Sequence, residues 1–330
     1  MKNKQYISLY ANCIPVKGEH KSGVYDLQRG DFIDIPNDLY DFIQLFDTNN
    51  LTDLYRLTGK ENHHIILEYI QFLIDKELAF ILDEDEKEMF PKISKQWDYP
   101  AKISNSIIDV SEVTLTVLPK IFELLSELGC EHLYIRVKMK KPVKVIGYIL
   151  DLLATSSIYS IVFEADLEVE KDISNYIDLI EAHKRIETLF LFSDKELIFS
   201  SEKIIIVNKL NFIARKEAFF TVNSLLFNES QKYNTYFNKK LYVNEKGILK
   251  NAPECNDEFG NINNLDLDDL KYIIDSSDFQ KYWGVHKDKI EECKNCEYRY
   301  MCVDNRLPKY NVDKGYFFEE SCMVKTAVGG

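Results

Sequence analysis

Between residues 106 and 208, short β-branched runs alternate with longer amphipathic ones, and that alternation leaves the chain few folds to choose from. The spacing predicts strands at 106–110, 132–137, 160–164, 188–192 and 204–208. It predicts helices at 113–128, 143–153 and 173–183. Leu115, Leu118, Ile121, Phe122, Leu125 and Leu128 share one face of the first helix at three- and four-residue intervals. Strands that alternate with helices pair in parallel through right-handed crossovers. The expectation is an α/β unit, either an open sheet or part of a (βα) barrel.

In such folds, chemistry gathers on the loops that follow the strands' C-terminal ends. Four acids stand there: Asp109 and Glu112 after the first strand, Glu164 and Asp166 after the third. They are the candidate acid–base groups, although two acids at a helix start also read as caps. The chain shows no glycine-rich phosphate loop, serine elbow, HExxH or kinase signature.

Ahead of this region, strands are predicted at 6–13, 22–27 and 32–35, with a turn through Pro15 and Gly18. Pro36-Asn37-Asp38 announces a helix with Asn37 or Asp38 as its cap, and Leu39, Phe42, Ile43 and Phe46 form its apolar face. A short helix at 51–57 follows. Asn62 is placed to cap a longer helix carrying Ile65, Ile66, Tyr69, Ile70, Leu73 and Ile74, and a strand at 79–82 closes the unit. This pattern suggests a winged-helix-like domain over 1–88, suited to nucleic acid or to a peptide laid along a sheet edge. The net charge of −13 argues against phosphate-backbone binding, so peptide capture by strand addition is the functional expectation. A packing domain is the alternative. The Pro- and Trp-containing stretch 90–100 reads as a linker, and the basic strip Lys138–Lys144 as a solvated loop.

Strands at 218–227 and 241–249 and helical pieces at 267–274 and 279–283 lead to Cys293-Lys-Asn-Cys296-Glu-Tyr-Arg-Tyr-Met-Cys302, with Cys322 beyond. Two thiolates two residues apart can grip one metal from a tight turn. A third six residues on and a returning fourth complete a sulfur shell for Zn²⁺ or a [4Fe–4S] cluster. Metal-bound thiolates, an odd cysteine count and an N-terminus without an apolar signal segment point to a reducing cytoplasm. No apolar run is long enough to suggest a membrane partner.

The cysteine run, together with Gly-Asn-Ile at 260–262, a tryptophan and Lys-Asp before it, resembles a SPASM domain. Tyr10-Ala-Asn-Cys-Ile-Pro-Val-Lys-Gly, Asp26-Leu-Gln-Arg, Ile35-Pro-Asn, Phe90-Pro-Lys and Ser104-Asn-Ser-Ile-Ile-Asp look like the SPASM-domain peptide maturases of grasp-with-spasm systems. The resemblance runs from about residue 6 to 322. It implies three parts: the peptide-recognition unit 1–88, a radical-SAM-like (βα) barrel 89–215 and a SPASM metal-binding module 216–330. It also implies two partners, a precursor peptide bound through its leader and an ATP-grasp ligase.

The chain departs from that pattern where a radical SAM enzyme places Cys-x-x-x-Cys-x-x-Cys. The loop after the first barrel strand reads Ser111-Glu-Val-Thr-Leu-Thr-Val, and no such triplet occurs anywhere. Hydroxyls cannot replace the soft, anionic sulfur that iron in these clusters demands. Of the upstream auxiliary pair only Cys255 remains, so the complete set is Cys293, Cys296, Cys302 and Cys322. The expectation is an accessory maturation protein that does not cleave S-adenosylmethionine. The alternatives are an enzyme with a repurposed barrel site and an iron–sulfur electron-transfer partner.

Overall fold

A computed structural model describes residues 4–169, 173–197, 199, 201–209 and 219–322. The N-terminal stretch forms β1 (Gln5–Leu9), β2 (Cys13–Val16), β3 (Ser22–Asp26) and β4 (Asp31–Ile35), then α1 (Asn37–Ile43), α2 (Leu51–Thr58), α3 (His63–Asp75) and β5 (Ala79–Asp83). The single strand expected at 6–13 is therefore two. A turn at Tyr10–Asn12 breaks it, sending β1 to pair with β5 and β2 into the antiparallel sheet β2-β3-β4. Ile7, Val24, Ile35, Leu39, Phe42, Leu54, Ile70 and Leu73 close a core between these sheets and the helices.

Two expected caps are absent. Pro36 holds the cap position of α1 without a side-chain bond, because Asn37 instead accepts from Ser22 Oγ at 2.6 Å. Asn62 makes no cap bond to α3, which a short 3₁₀ turn precedes. At α2, Asn50 caps through Asp53 N.

The middle of the chain supplies β6 (Asn105–Val110), α4 (Glu112–Leu115), α5 (Leu118–Glu127), β7 (His132–Val137), α6 (Pro142–Leu153), β8 (Ser160–Asp166), α7 (Ile173–Ala182), β9 (Ile186–Ser193) and β10 (Ile204–Asn208). The helix expected over 113–128 is two pieces, since Pro119 suits a helix's first turn and disrupts an interior one. Beyond it lie β11 (Phe219–Phe220), a helix at Ser224–Ser230 where strand was expected, β12 (Lys240–Val243) and β13 (Leu249–Lys250).

The molecule is mixed α/β, built on one seven-stranded sheet of order β10-β9-β8-β7-β6-β12-β13. Every neighbouring pair is parallel except β12–β13. Residues alternate across this sheet. Ile108, Val110, Leu133, Ile135, Val137, Ile161, Phe163, Leu189 and Leu191 join Ile121, Leu125, Ile146, Ile149 and Tyr176 in the main core. The intervening positions Asp109, Tyr134, Arg136, Glu164 and Tyr242 fall on the other face, by register. Cys130 and Cys255 are buried members of the main core. No described helix is long and apolar enough to cross a membrane.

Candidate functional site

Three places carry candidate chemistry. The first is the outer edge of β1. Tyr10 N donates to Leu78 O at 3.0 Å, which continues the β1–β5 register. An antiparallel ladder alternates bonded and non-bonded pairs, so Tyr6, Ser8 and Tyr10 bond toward β5 and Ile7 and Leu9 turn their backbone groups outward. Among the described residues β1 pairs with β5 alone.

That open edge is the floor of a cavity of about 440 Å³. Tyr40, Ile43 and Phe46, from α1 and the turns after it, make one wall. The stretch Phe90–Lys95 makes another. The Phe90 ring sits 4.7 Å from Phe80, which in turn sits 4.9 Å from Tyr10. Lys87 lies 4.3 Å over the Tyr6 ring and donates to Asp47 O, and Lys92 pairs with the Asp47 carboxylate. The stretch expected to be a linker is thus a strap across the N-terminal unit. It cannot complete the ladder at Pro91, which has no N–H.

The second place is the polar face of the large sheet at its C-terminal end. Asp109 is fully buried and accepts from Arg136 Nε at 2.5 Å, Lys138 Nζ at 2.5 Å and Tyr242 Oη at 2.9 Å. Asp109 therefore caps no helix; Ser111 does, accepting from Val113 N and Thr114 N. Glu164 accepts from Tyr134 Oη at 3.0 Å. Its carboxyl is held above the usual range by burial, against the pull of that bond and of Arg136. Glu164 and Arg136 are cross-strand partners, which brings Asp109 and Glu164 into one network. Glu112 is exposed on α4, and Asp166 is exposed and paired with Lys209 at 2.9 Å. A hollow of about 340 Å³ beside this network is lined by Arg136, Lys138, Lys140, Glu164, Asp166 and Phe192.

Toward the opposite end of β12 a second polar group lies within the fold. Lys240 is buried with its Nζ 3.5 Å from the centre of the Tyr236 ring, and burial depresses its pKa to about 8. Glu229 accepts from Asn238 Nδ2 at 2.8 Å, and burial raises its carboxyl to about 7 against the fields of Lys240 and Lys239. The folded chain holds the Glu229 proton more tightly than the unfolded chain does. Its contribution to stability is thus full below the ordinary carboxylate range and is lost as pH rises through about 7. Urea unfolding of the wild type should show stability falling between pH 5 and 7, and Glu229→Gln should flatten that slope.

The third place is the cysteine segment. Cys293 is buried, whereas Cys296, Cys302 and Cys322 are partly so. Cys296 N donates to Cys293 O in the tight turn that the spacing predicts. Around them stands an ionic cluster that sequence reasoning missed. Lys287 and Asp304 are both buried and meet at 2.7 Å, and Arg306 Nη2 meets Asp304 at 2.6 Å. Phe318 lies under both cations, 4.8 Å from Lys287 and 4.1 Å from Arg306. Asp304 is held down to about 2 by Arg306 and Lys287, which outweigh its burial. Only the Asp and Arg following the third cysteine hinted at this in the sequence.

The thiols belong to this neighbourhood, but among the described residues no three His, Cys, Asp or Glu side chains are arranged to hold a metal ion. As placed, Cys293, Cys296, Cys302 and Cys322 do not form a fitting shell for Zn²⁺ or a [4Fe–4S] cluster. The segment also joins the region of the antiparallel sheet β2-β3-β4. Tyr25 Oη donates to Glu297 O at 2.7 Å, Glu19 N to Asn295 O at 2.8 Å and Arg299 Nη1 to Lys17 O at 2.7 Å. Ile14, Val16, Tyr25 and Leu27 share a small core with Phe227 and Met301. The backbone passes so close here that a Cβ on Gly18 would stand 2.1 Å from Lys21 O and 2.7 Å from the Glu297 carboxylate.

Comparison with protein-family models and with curated proteins finds no match to this chain. The likeness to grasp-with-spasm maturases therefore rests on the residues quoted above.

Proposed function

We propose that this chain is an accessory protein in the maturation of a ribosomally made peptide. It takes an extended stretch of the precursor's leader as an added strand on β1 and presents the rest to an ATP-grasp ligase. The observation that carries this reading is the edge of β1, which no second strand covers among the described residues and which lies along a cavity. Main-chain groups of Ile7 and Leu9 would supply the bonds that bind a strand of any sequence, and the cavity walls would supply selectivity. The ligase partner comes from the resemblance, as do the finer descriptions of a winged-helix-like unit, a radical-SAM-like barrel and a SPASM module. The absence of Cys-x-x-x-Cys-x-x-Cys supports placing the chemistry in the ligase.

Hydrogen exchange of the full chain with a synthetic leader from a grasp-with-spasm precursor tests the reading. The amides of Ile7 and Leu9 should become protected, and a leader N-methylated at alternate positions should not protect them. Unchanged exchange along β1 at saturating leader would refute it.

One observation favours a second reading, a peptide-modifying enzyme with a repurposed sheet-end site. The strand-end acids Asp109 and Glu164 share a network with Arg136, Tyr134 and Tyr242 beside an open hollow. A mass change in precursor treated with this chain alone, lost in Glu164→Gln, would establish it. A bound cluster or zinc, and with it an electron-transfer role, would need the four thiols to draw together from the arrangement described above. An anaerobic preparation free of both iron and zinc would end that idea.

A further inference from the structure

The cavity along β1 also carries a local charge opposite in sign to the chain's net charge. The whole protein has a net charge of −13, yet the ionisable side chains lining this cavity with full charges are Lys87, Lys92, Lys95 and a single aspartate, Asp47. That aspartate is already engaged, its carboxylate by Lys92 and its carbonyl by Lys87. Lys95 makes no ion pair among the described residues. All three lysines come from one side, on and just before the strap, and stand there beside the exposed apolar side chains of Phe90 and Ile93.

A strand added to β1 would present its side chains alternately to the two faces of the pleat. The lysines and exposed apolar side chains of the strap then favour a segment that carries acidic and apolar side chains together. From this we infer that the occupant of the β1 edge is an extended peptide segment that carries acidic side chains among apolar ones. The inference rests on the strand-addition reading proposed above and adds the chemical class of the peptide. Carboxylates on the occupant would meet the lysines of the strap, while its apolar side chains would cover Phe90 and Ile93. Partly exposed charges of this kind govern encounter and discrimination more than raw affinity, and salt weakens them. Such a partner also accounts for basic residues standing over this edge in a chain of net charge −13.

The experiment uses the full-length chain and two fluorescent synthetic peptides of equal length, one alternating glutamate with valine, the other lysine with valine. Fluorescence anisotropy reads binding, and hydrogen exchange of Ile7 and Leu9 reads where each peptide sits. The glutamate peptide should bind at least about tenfold more tightly than the lysine peptide at low salt, an advantage that added salt erodes. The double variant Lys92→Glu/Lys95→Glu should reverse that order. Both positions are at the surface, and circular dichroism would verify that the variant is folded. If the two peptides bind equally and both protect β1, the charge inference is overturned and strand addition stands. If neither peptide protects β1 at saturation, strand addition fails and this inference with it.

Discussion

Replacing Asp109 with alanine should cost about 3–5 kcal/mol of unfolding free energy, the loss expected when one partner of a buried ionic group is removed. The carboxylate is fully buried and satisfies three donors, Arg136 from β7, Lys138 just after it and Tyr242 from β12. Without it, the Arg136 guanidinium keeps its position on the sheet face with its hydrogen bond to Tyr242, at 3.1 Å, and the field of Glu164 across the strand. Lys138 is about half exposed and can turn to water, so most of the cost lies with Arg136. Asp109→Asn keeps an acceptor for one or two of these donors and should cost less than half as much. Urea denaturation with an unchanged m-value is the measurement. A difference between Asp109→Ala and wild type below about 1 kcal/mol would mean that the network is solvated and does not hold β6 to its neighbours.

The large sheet was legible because its strands and helices differ in hydrophobic period, and each period is local. Residues 132–137 and 160–164 read as strands from their own side chains alone, and the second runs on to Asp166. The place of β12 beside β6 was not legible in that way. It depends on pairing Asn105 with Lys240 across a long separation in sequence, and no local pattern marks such a partner. The break between α4 and α5 was visible in Pro119, yet the apolar face continues through it and masks the break. The strap was missed for a different reason. Polar and proline-containing, 90–100 has the composition of a linker, and its position is set by Phe90 docking on Phe80.

At the candidate sites the sequence located Asp109 and Glu164 but could not distinguish a cap from a network centre. That distinction depends on Arg136 and Tyr242 arriving from other strands. Likewise, the spacing of the cysteines identified a cluster of thiols, but Lys287 and Asp304, which carry the local charge, look like ordinary surface residues in the sequence. Reading a buried ion pair requires knowing that both members are inside, and burial is a property of the assembled fold.

The Lys287–Asp304 pair supports the second large prediction. Asp304→Ala should cost a further order of 3–5 kcal/mol, concentrated in the C-terminal module. Lys287 would be left buried without its carboxylate, and Arg306 would lose the partner that holds it over Phe318. The core here is small, formed by Val285, Ile290, Cys293 and Phe318 with Tyr316 against it. So limited an apolar cluster cannot absorb an unpaired cation, and the segment should open before the large sheet does. Because that segment clamps β3 through Tyr25 and Glu297, the N-terminal unit should loosen with it. Limited proteolysis should therefore cut Asp304→Ala between residues 287 and 322 at a protease level that leaves wild type intact. Full resistance in the variant would show that something other than this pair holds the module. Cys296→Ala identifies that agent. If the four thiolates bind a metal, this variant should match Asp304→Ala in sensitivity, and a chelator should make wild type equally sensitive. If Asp304→Ala alone is cut and chelation changes nothing, the ion pair, not a metal, joins the two ends of the chain.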